Sequence, residues 1–274
     1  MELTSSTTGA GKTHLMYLIV CMAILPLQWA GRKLVGSDSL VVVLDSDGRF
    51  NIIRLAEVIK SYVCWCEKLD KDELEDITHD EAAIDTFVEE CLKHVHIFRP
   101  QSLSSVAESL GGLKQYLLNL EAHYSGRRQL HSVIVDSLSA FYWQQRALEE
   151  NTDPSTSIST SPLQSISKHL RSLQQQFNCS VIFTNTLPGS RARRERTGYI
   201  SAIPGLIPTI QLAVTRKPVP LFPPMMSVTE AETDRRARQS AVEKGIFRVW
   251  SDNLQDGFWF RISSSSVSIG EEPE

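Results

Sequence analysis

Read as apolar and polar positions, the chain contains three short, nearly unbroken apolar runs that each close on a polar residue: Ser39–Asp45, His131–Asp136 and Cys179–Asn185. Continuous β-branched runs of this length predict strands buried on both faces. Between them the spacing turns helical, over Phe50–Trp65, Ser102–Tyr124 and Leu163–Phe177. His94–Phe98 and Ile207–Val214 read as further strands, and Ser137–Trp143 as a continuation of the run before it. Phe247–Trp250 and Phe258–Ile262 read as a terminal hairpin around Asp252-Asn253 and Asp256-Gly257. Strands that alternate with helices pair in parallel and are covered on both faces. The fold class is therefore α/β, with a mostly parallel central sheet flanked by helices and a C-terminal β-hairpin.

The punctuation between these elements sets the boundaries. Residues 1–215 form the core, 216–245 a Pro- and Arg-rich loop, 246–262 the hairpin of the same domain, and 263–274 a Ser-rich, acidic, frayed tail. Asn151–Pro162, rich in Ser, Thr and Pro, reads as a mobile surface loop, and Pro188–Gly205 as a long loop. Glu67–Glu90 holds eleven acidic residues and two lysines, the pattern of a solvated helical face or a flexible connection.

Ligands of such sheets bind beyond the carboxyl ends of the strands, and the candidate chemistry of this chain collects there. Ser6-Thr7-Thr8-Gly9-Ala10-Gly11-Lys12-Thr13 reads as a phosphate-binding loop. Gly9 and Gly11 permit the tight turn, with Ala10 between them. Lys12 offers its ammonium to the β- and γ-phosphates, and the Thr13 hydroxyl is placed for magnesium. The usual pattern opens on Gly, where this chain has Ser6. Such a loop ordinarily follows a full strand; Met1–Ser5 supplies a stub, and the expectation is a segment preceding it.

Val133-Ile134-Val135-Asp136 would deliver a carboxylate beside that magnesium. Asp47, after the neighbouring run, is the candidate for orienting an attacking water, although Asp45 and Asp47 could equally shape the turn that ends at Gly48. Asn185 could sense the γ-phosphate or simply end a strand. Arg191, Arg193, Arg194 and Arg196 form a basic loop suited to phosphate backbones, with Tyr199 as a stacking face and Arg235, Arg236 and Arg238 as a weaker second patch.

Composition narrows the classes. The net charge of −4 announces no global attraction to nucleic acid, so any such contact is local. Five cysteines at irregular spacing, with no CxxC pair, indicate neither a zinc site nor a disulfide framework, and reduced thiols in nucleus or cytosol follow. Leu15–Leu25 is uncharged but too short to span a bilayer, and Pro26 ends it. A secretory signal competes for these residues, but the stretch before them spells a phosphate loop, so the run reads as a buried first helix without a membrane role.

Taken in order, Gly9-Ala10-Gly11-Lys12-Thr13, Val43-Leu44-Asp45-Ser46-Asp47 with Phe50 and Arg54-Leu55, Ile134–Trp143, and Ile182-Phe183-Thr184-Asn185 resemble the ATPase motifs of RecA-type recombinases. Aspartate at position 47 and the block Asp136-Ser137-Leu138-Ser139-Ala140-Phe141-Tyr142-Trp143 resemble the X-ray-repair branch of the eukaryotic recombinase paralogues. The resemblance covers about residues 2–215. It implies a RecA-like ATPase core with ATP and magnesium as cofactors. It implies a nuclear role in double-strand-break repair by homologous recombination, on single-stranded or branched DNA. It further implies assembly with other recombinase paralogues, notably the D-type one, in support of strand exchange.

Under it Gly9, Ala10, Gly11, Lys12, Thr13 and Asn185 would hold the nucleotide, Thr13 and Asp136 the metal, and Asp47 the catalytic water. The shorter Asp47 and the absent first glycine imply weak ATP hydrolysis at most. Two other readings stand beside it: a non-catalytic scaffold with a decayed nucleotide site, and a small-molecule P-loop kinase with the arginine loop as its lid.

Overall fold

The β-branched runs become the interior of one sheet because every position along them is buried except His131 and Ser180 near the start of their strands. In the computed structural model, which describes residues 1–69, 81–150, 161–186, 206–219, 225–251 and 257–270, the elements follow in this order. β1 (Glu2–Ser5) leads into α1 (Lys12–Ile24), then a small ribbon of β2 (Gln28–Trp29) and β3 (Arg32–Lys33). β4 (Leu40–Asp45), α2 (Ile52–Leu69), α3 (Glu81–Leu92), β5 (Val95–Phe98), α4 (Leu103–Leu118) and β6 (Leu130–Asp136) come next. α5 (Tyr142–Glu150), α6 (Pro162–Phe177), β7 (Ser180–Thr186), β8 (Gln211–Arg216), α7 (Val228–Glu243), β9 (Ile246–Trp250), β10 (Phe258–Ile262) and β11 (Val267–Gly270) complete the described chain.

Nine strands form a single sheet in the order β11-β10-β9-β8-β1-β7-β6-β4-β5. From β5 to β8 all pairings are parallel; β8 to β11 pair antiparallel. This is the expected α/β architecture, a large and mostly parallel sheet flanked by helices with antiparallel strands at its C-terminal end. It is consistent with a RecA-like fold.

Each face of the sheet carries its own core. α1, α2 and α3 cover one, where Leu3, Val41, Val43, Ile134 and Ile182 meet Met16, Val20 and Ile59. α4 and α6 cover the other, where Val42, Val133, Val135 and Phe183 meet Leu110 and Leu170. The two sets alternate along each strand, as the pleat requires. α1 is apolar nearly all round because it lies between the sheet and α2, which explains the uncharged run at Leu15–Leu25. Among the described residues, no helix is long and apolar enough to cross a membrane. All five cysteines are free thiols.

The structure departs from the expected elements in four places. Ser137–Trp143 does not continue β6: the chain turns through a 3-10 helix at Leu138–Phe141 and enters α5. The stretch read as a loop at 216–245 contains α7, in which no residue is buried, so no apolar stripe announces it. Its signal is the capping box of Ser227 and Glu230, in which each side chain bonds the other's backbone N–H. The frayed tail contributes β11, pinned where Arg54 of α2 donates to the backbone oxygens of Ser263 (2.6 Å), Ser264 and Ser266 (3.3 Å). Finally, the stub at Met1–Ser5 is an interior strand, paired with β7 on one side and β8 on the other.

Candidate functional site

The loop between β1 and α1 is shaped by its glycines. Gly9 (φ 73°) and Gly11 (φ 89°) both lie in the left-handed region that other residues adopt at a cost. Gly11 is also tightly packed: a Cβ there would sit 3.0 Å from the rings of Phe247 and Phe260, which ties the loop to β9 and β10. Gly11 caps α1 without a side-chain hydrogen bond, and the first turn holds no acid. The unpaired N–H groups and the positive end of the helix dipole therefore face the loop uncompensated.

Lys12, the first residue of α1, is buried with 8% of its surface exposed. Its Nζ donates to the Ser5 hydroxyl and, at 3.0 Å, to the Thr186 hydroxyl. Burial lowers its pKa, and the nearby Asp136 carboxylate pulls the other way. One turn-position later, Thr13 Oγ1 donates to Asp136 Oδ2 at 2.9 Å. Thr184 Oγ1 donates to Asp136 Oδ1 at 2.5 Å. Asp136 is 2% exposed, and burial raises its pKa against the pull of these two hydroxyls. Strand β6 ends on this carboxylate between β4 and β7, so sheet order places it beside α1.

The two acids after β4 have separate positions. Asp45 is buried and accepts the backbone N–H groups of Arg49 (3.0 Å) and Phe50 (3.2 Å), so it shapes the turn. Asp47 is exposed and held by its own N–H, which donates to the Asp136 carbonyl at 3.2 Å. Its charge acts on both Lys12 and Asp136.

Asn185 is not brought to this cluster. On β7 the side chains of Thr184 and Thr186 point to Asp136 and Lys12, and period-two alternation sends Asn185 to the opposite face. There its Nδ2 donates to Glu2 Oε1 at 2.7 Å, and Gln211 Nε2 donates to Glu2 Oε2 at 3.1 Å. Among the described residues, Asn185 Oδ1 is buried without a hydrogen-bond partner. The expected γ-phosphate contact of Asn185 is therefore replaced by a structural one. Thr184 and Thr186, the residues that do face the cluster, were missed by the sequence reading, although alternation around Asn185 pointed to them. Arg191, Arg193, Arg194, Arg196 and Tyr199 lie outside the described residues. Of the second basic patch, Arg238 pairs with Asp234 within α7 at 2.7 Å.

This donor set fits a magnesium-bound polyphosphate. Among the described residues, the hydrogen-bond partners of the buried Lys12 ammonium are neutral hydroxyls and none is an anion. Thr13 and Asp136 are hard oxygen donors of the kind magnesium selects. Gly9 leaves open space where a Cβ would stand. Among the described residues, no group of three or more His, Cys, Asp or Glu gathers as an all-protein metal site.

No family model matches the chain. It is similar to the DNA repair protein XRCC2 homolog of Arabidopsis thaliana, 27% identical over an alignment of 202 residues that covers 67% of this chain and 53% of that protein. The chain thus spans about half the length of the curated relative it matches. The likeness to the X-ray-repair type of recombinase paralogue, which the separate motifs carry, extends over two thirds of the chain.

Proposed function

We propose that this chain is an ATP-binding recombinase paralogue that serves DNA double-strand-break repair by homologous recombination in the nucleus. It would assemble with other recombinase paralogues, the D-type one among them, on single-stranded or branched DNA and assist strand exchange. The observation that carries the nucleotide part is the Thr13–Asp136 hydrogen bond at 2.9 Å beside the buried Lys12 ammonium. The similarity to a DNA repair protein carries the cellular part.

In this reading Gly9, Ala10 and Gly11 supply backbone N–H groups to the phosphates, and Lys12 supplies a fixed positive charge. Thr13 and Asp136 hold magnesium, which neutralises phosphate charge when bound. Asp47 is the residue left to orient water. Its side chain is one methylene shorter than that of Glu, and the chain keeps it exposed, so hydrolysis is slow and binding is the main event. The test is titration of the whole chain with a labelled, non-hydrolysable ATP analogue and magnesium. Binding is expected in the wild type and lost by about 100-fold or more in Lys12→Ala, the scale of a charge-assisted hydrogen bond in a dry site. No binding in the wild type, with Lys12→Ala unchanged in its complexes with other paralogues, would instead make the chain a scaffold.

A further inference from the structure

Among the described residues, the face of β8 to β11 that is turned away from α1 lies outside both hydrophobic cores and carries an unusual charge. By register, Thr215, Arg248, Trp259 and Gly270 stand in one row across the four strands. Lys217, Ile246, Arg261 and Ser268 stand in the next row on the same face. The opposite face of these strands is the buried one, where Phe247, Val249, Phe260 and Val267 join the core under α1. α4 and α6 cover only the β4–β7 part of the outward face, since their core contains no residue of β8–β11. Arg248 and Arg261 are exposed and Trp259 is half-buried.

We propose that this face is a binding platform for single-stranded nucleic acid, with a base stacked on Trp259 and phosphates held by Lys217, Arg248 and Arg261. The proposal rests on the repair role argued above and names a surface for it. Its first support is the convergence of the cations on one indole. The Arg248 guanidinium lies 5.5 Å and the Lys217 ammonium 5.8 Å from the Trp259 ring centroid. Both cations lie over the ring, at distances near the outer limit of about 6 Å for a cation–π contact. Arg261 stands two residues from Trp259 on the same strand, its Nε on the Lys244 carbonyl at 3.1 Å.

Charge is the second support. No strand position on this face from β8 to β11 is Asp or Glu, in a chain whose net charge is −4. The patch is a local reversal of sign, and a polyanion is the partner that such a reversal selects. An indole among cations on a sheet face is the arrangement that binds unpaired bases, because any base offers a π-face and the backbone follows the charges. The bases of a duplex are stacked on one another and have no face to offer Trp259.

The test is anisotropy titration of the whole chain with fluorescein-labelled oligothymidylate over a salt series, with a duplex and an acidic peptide as competitors. The Arg248→Glu/Arg261→Glu double variant is expected to bind about tenfold or more weakly, with a log–log salt slope shallower by about 1.4 for two lost phosphate contacts. Trp259→Ala is expected to lose about tenfold with the slope unchanged, and Trp259→Phe to stay within about threefold. Quenching of tryptophan fluorescence by the oligonucleotide, present in wild type and absent in Trp259→Phe, reports the stacked base even if Trp259→Ala does not fold. The platform is overturned if the wild type binds no oligonucleotide, or if neither the charge nor the Trp259 variants weaken it. It is also overturned if duplex or acidic peptide competes as well as single strand. ATP-analogue binding on the same preparations should be untouched in every variant, so failure here leaves the nucleotide reading standing.

Discussion

Two carboxylates in this sheet are almost wholly removed from water, Asp136 at 2% exposure and Glu2 at 0%, and they point to opposite faces. Burial raises the pKa of both. Their partners differ. Asp136 is held by the hydroxyls of Thr13 and Thr184 and feels the Lys12 ammonium. Glu2 is held by the carboxamides of Asn185 and Gln211. A hydroxyl can rotate and serve as donor or acceptor to whatever arrives, whereas the carboxamide N–H₂ can only donate. The first set can be exchanged for a ligand and the second only satisfies an acid inside a sheet. Burial and a raised pKa therefore do not by themselves separate a site from a scaffold; the exchangeability of the partners does.

The strongest way to break that contrast is to remove each acid and read both stability and binding. Glu2→Ala leaves the buried N–H₂ of Asn185 without its acceptor, while Gln211 is exposed and can turn to water. At about 1–3 kcal/mol for the orphaned group, the expected loss is of that size, measured by urea unfolding, with ATP-analogue affinity unchanged within about twofold. A loss below about 1 kcal/mol, or a coupled loss of nucleotide binding, would dissolve the distinction.

Asp136→Asn should show the reverse. The substitution is nearly isosteric and removes a charge that burial already opposes, so stability should move by less than about 1 kcal/mol. Affinity for the magnesium–nucleotide should fall about 10- to 100-fold, the range of one charge-assisted contact. Titration with and without magnesium makes the check. Equal affinity in both conditions would remove Asp136 from metal binding.

How much of this was legible in the sequence follows the same division. The long buried runs β4, β6 and β7 could be read because their apolar character is continuous and their polar ends fall on one edge of the sheet. Lys12, Thr13 and Asp136 come together as that logic requires. What escaped was information carried by alternation or by single contacts. Asn185 reads in the sequence as a γ-phosphate contact or a plain strand end, and one residue of offset along β7 decides for the second, because it reverses the face. Glu2 was hidden in four residues that seemed a stub, since nothing local shows that β7 and β8 will close on either side of it. α7 has no buried face, so hydrophobic periodicity could not find it, and only the cap pair Ser227 and Glu230 marks its start.

The smallest effect is the most specific. Unfolded, Glu2 titrates near its ordinary 4.5; folded, burial moves it higher. Between the two values the native state holds more protons than the unfolded chain, so stability falls as pH rises. The contribution of Glu2 is complete below 4.5 and is lost as pH climbs through the raised folded value. Asp136, raised from 3.8, adds a fall of the same sign. Glu2→Gln removes the first fall and keeps the second, and its carboxamide still accepts a bond from Asn185. The difference in unfolding free energy between Glu2→Gln and wild type should therefore grow from about pH 4.5 upward and then level. It should grow by less than the limit of about 1.4 kcal/mol per pH unit for one proton. Urea midpoints taken at half-unit steps would trace it. Parallel curves for the two proteins would mean that Glu2 keeps its ordinary acidity in the fold, and the likeness between the two buried acids would then rest on geometry alone.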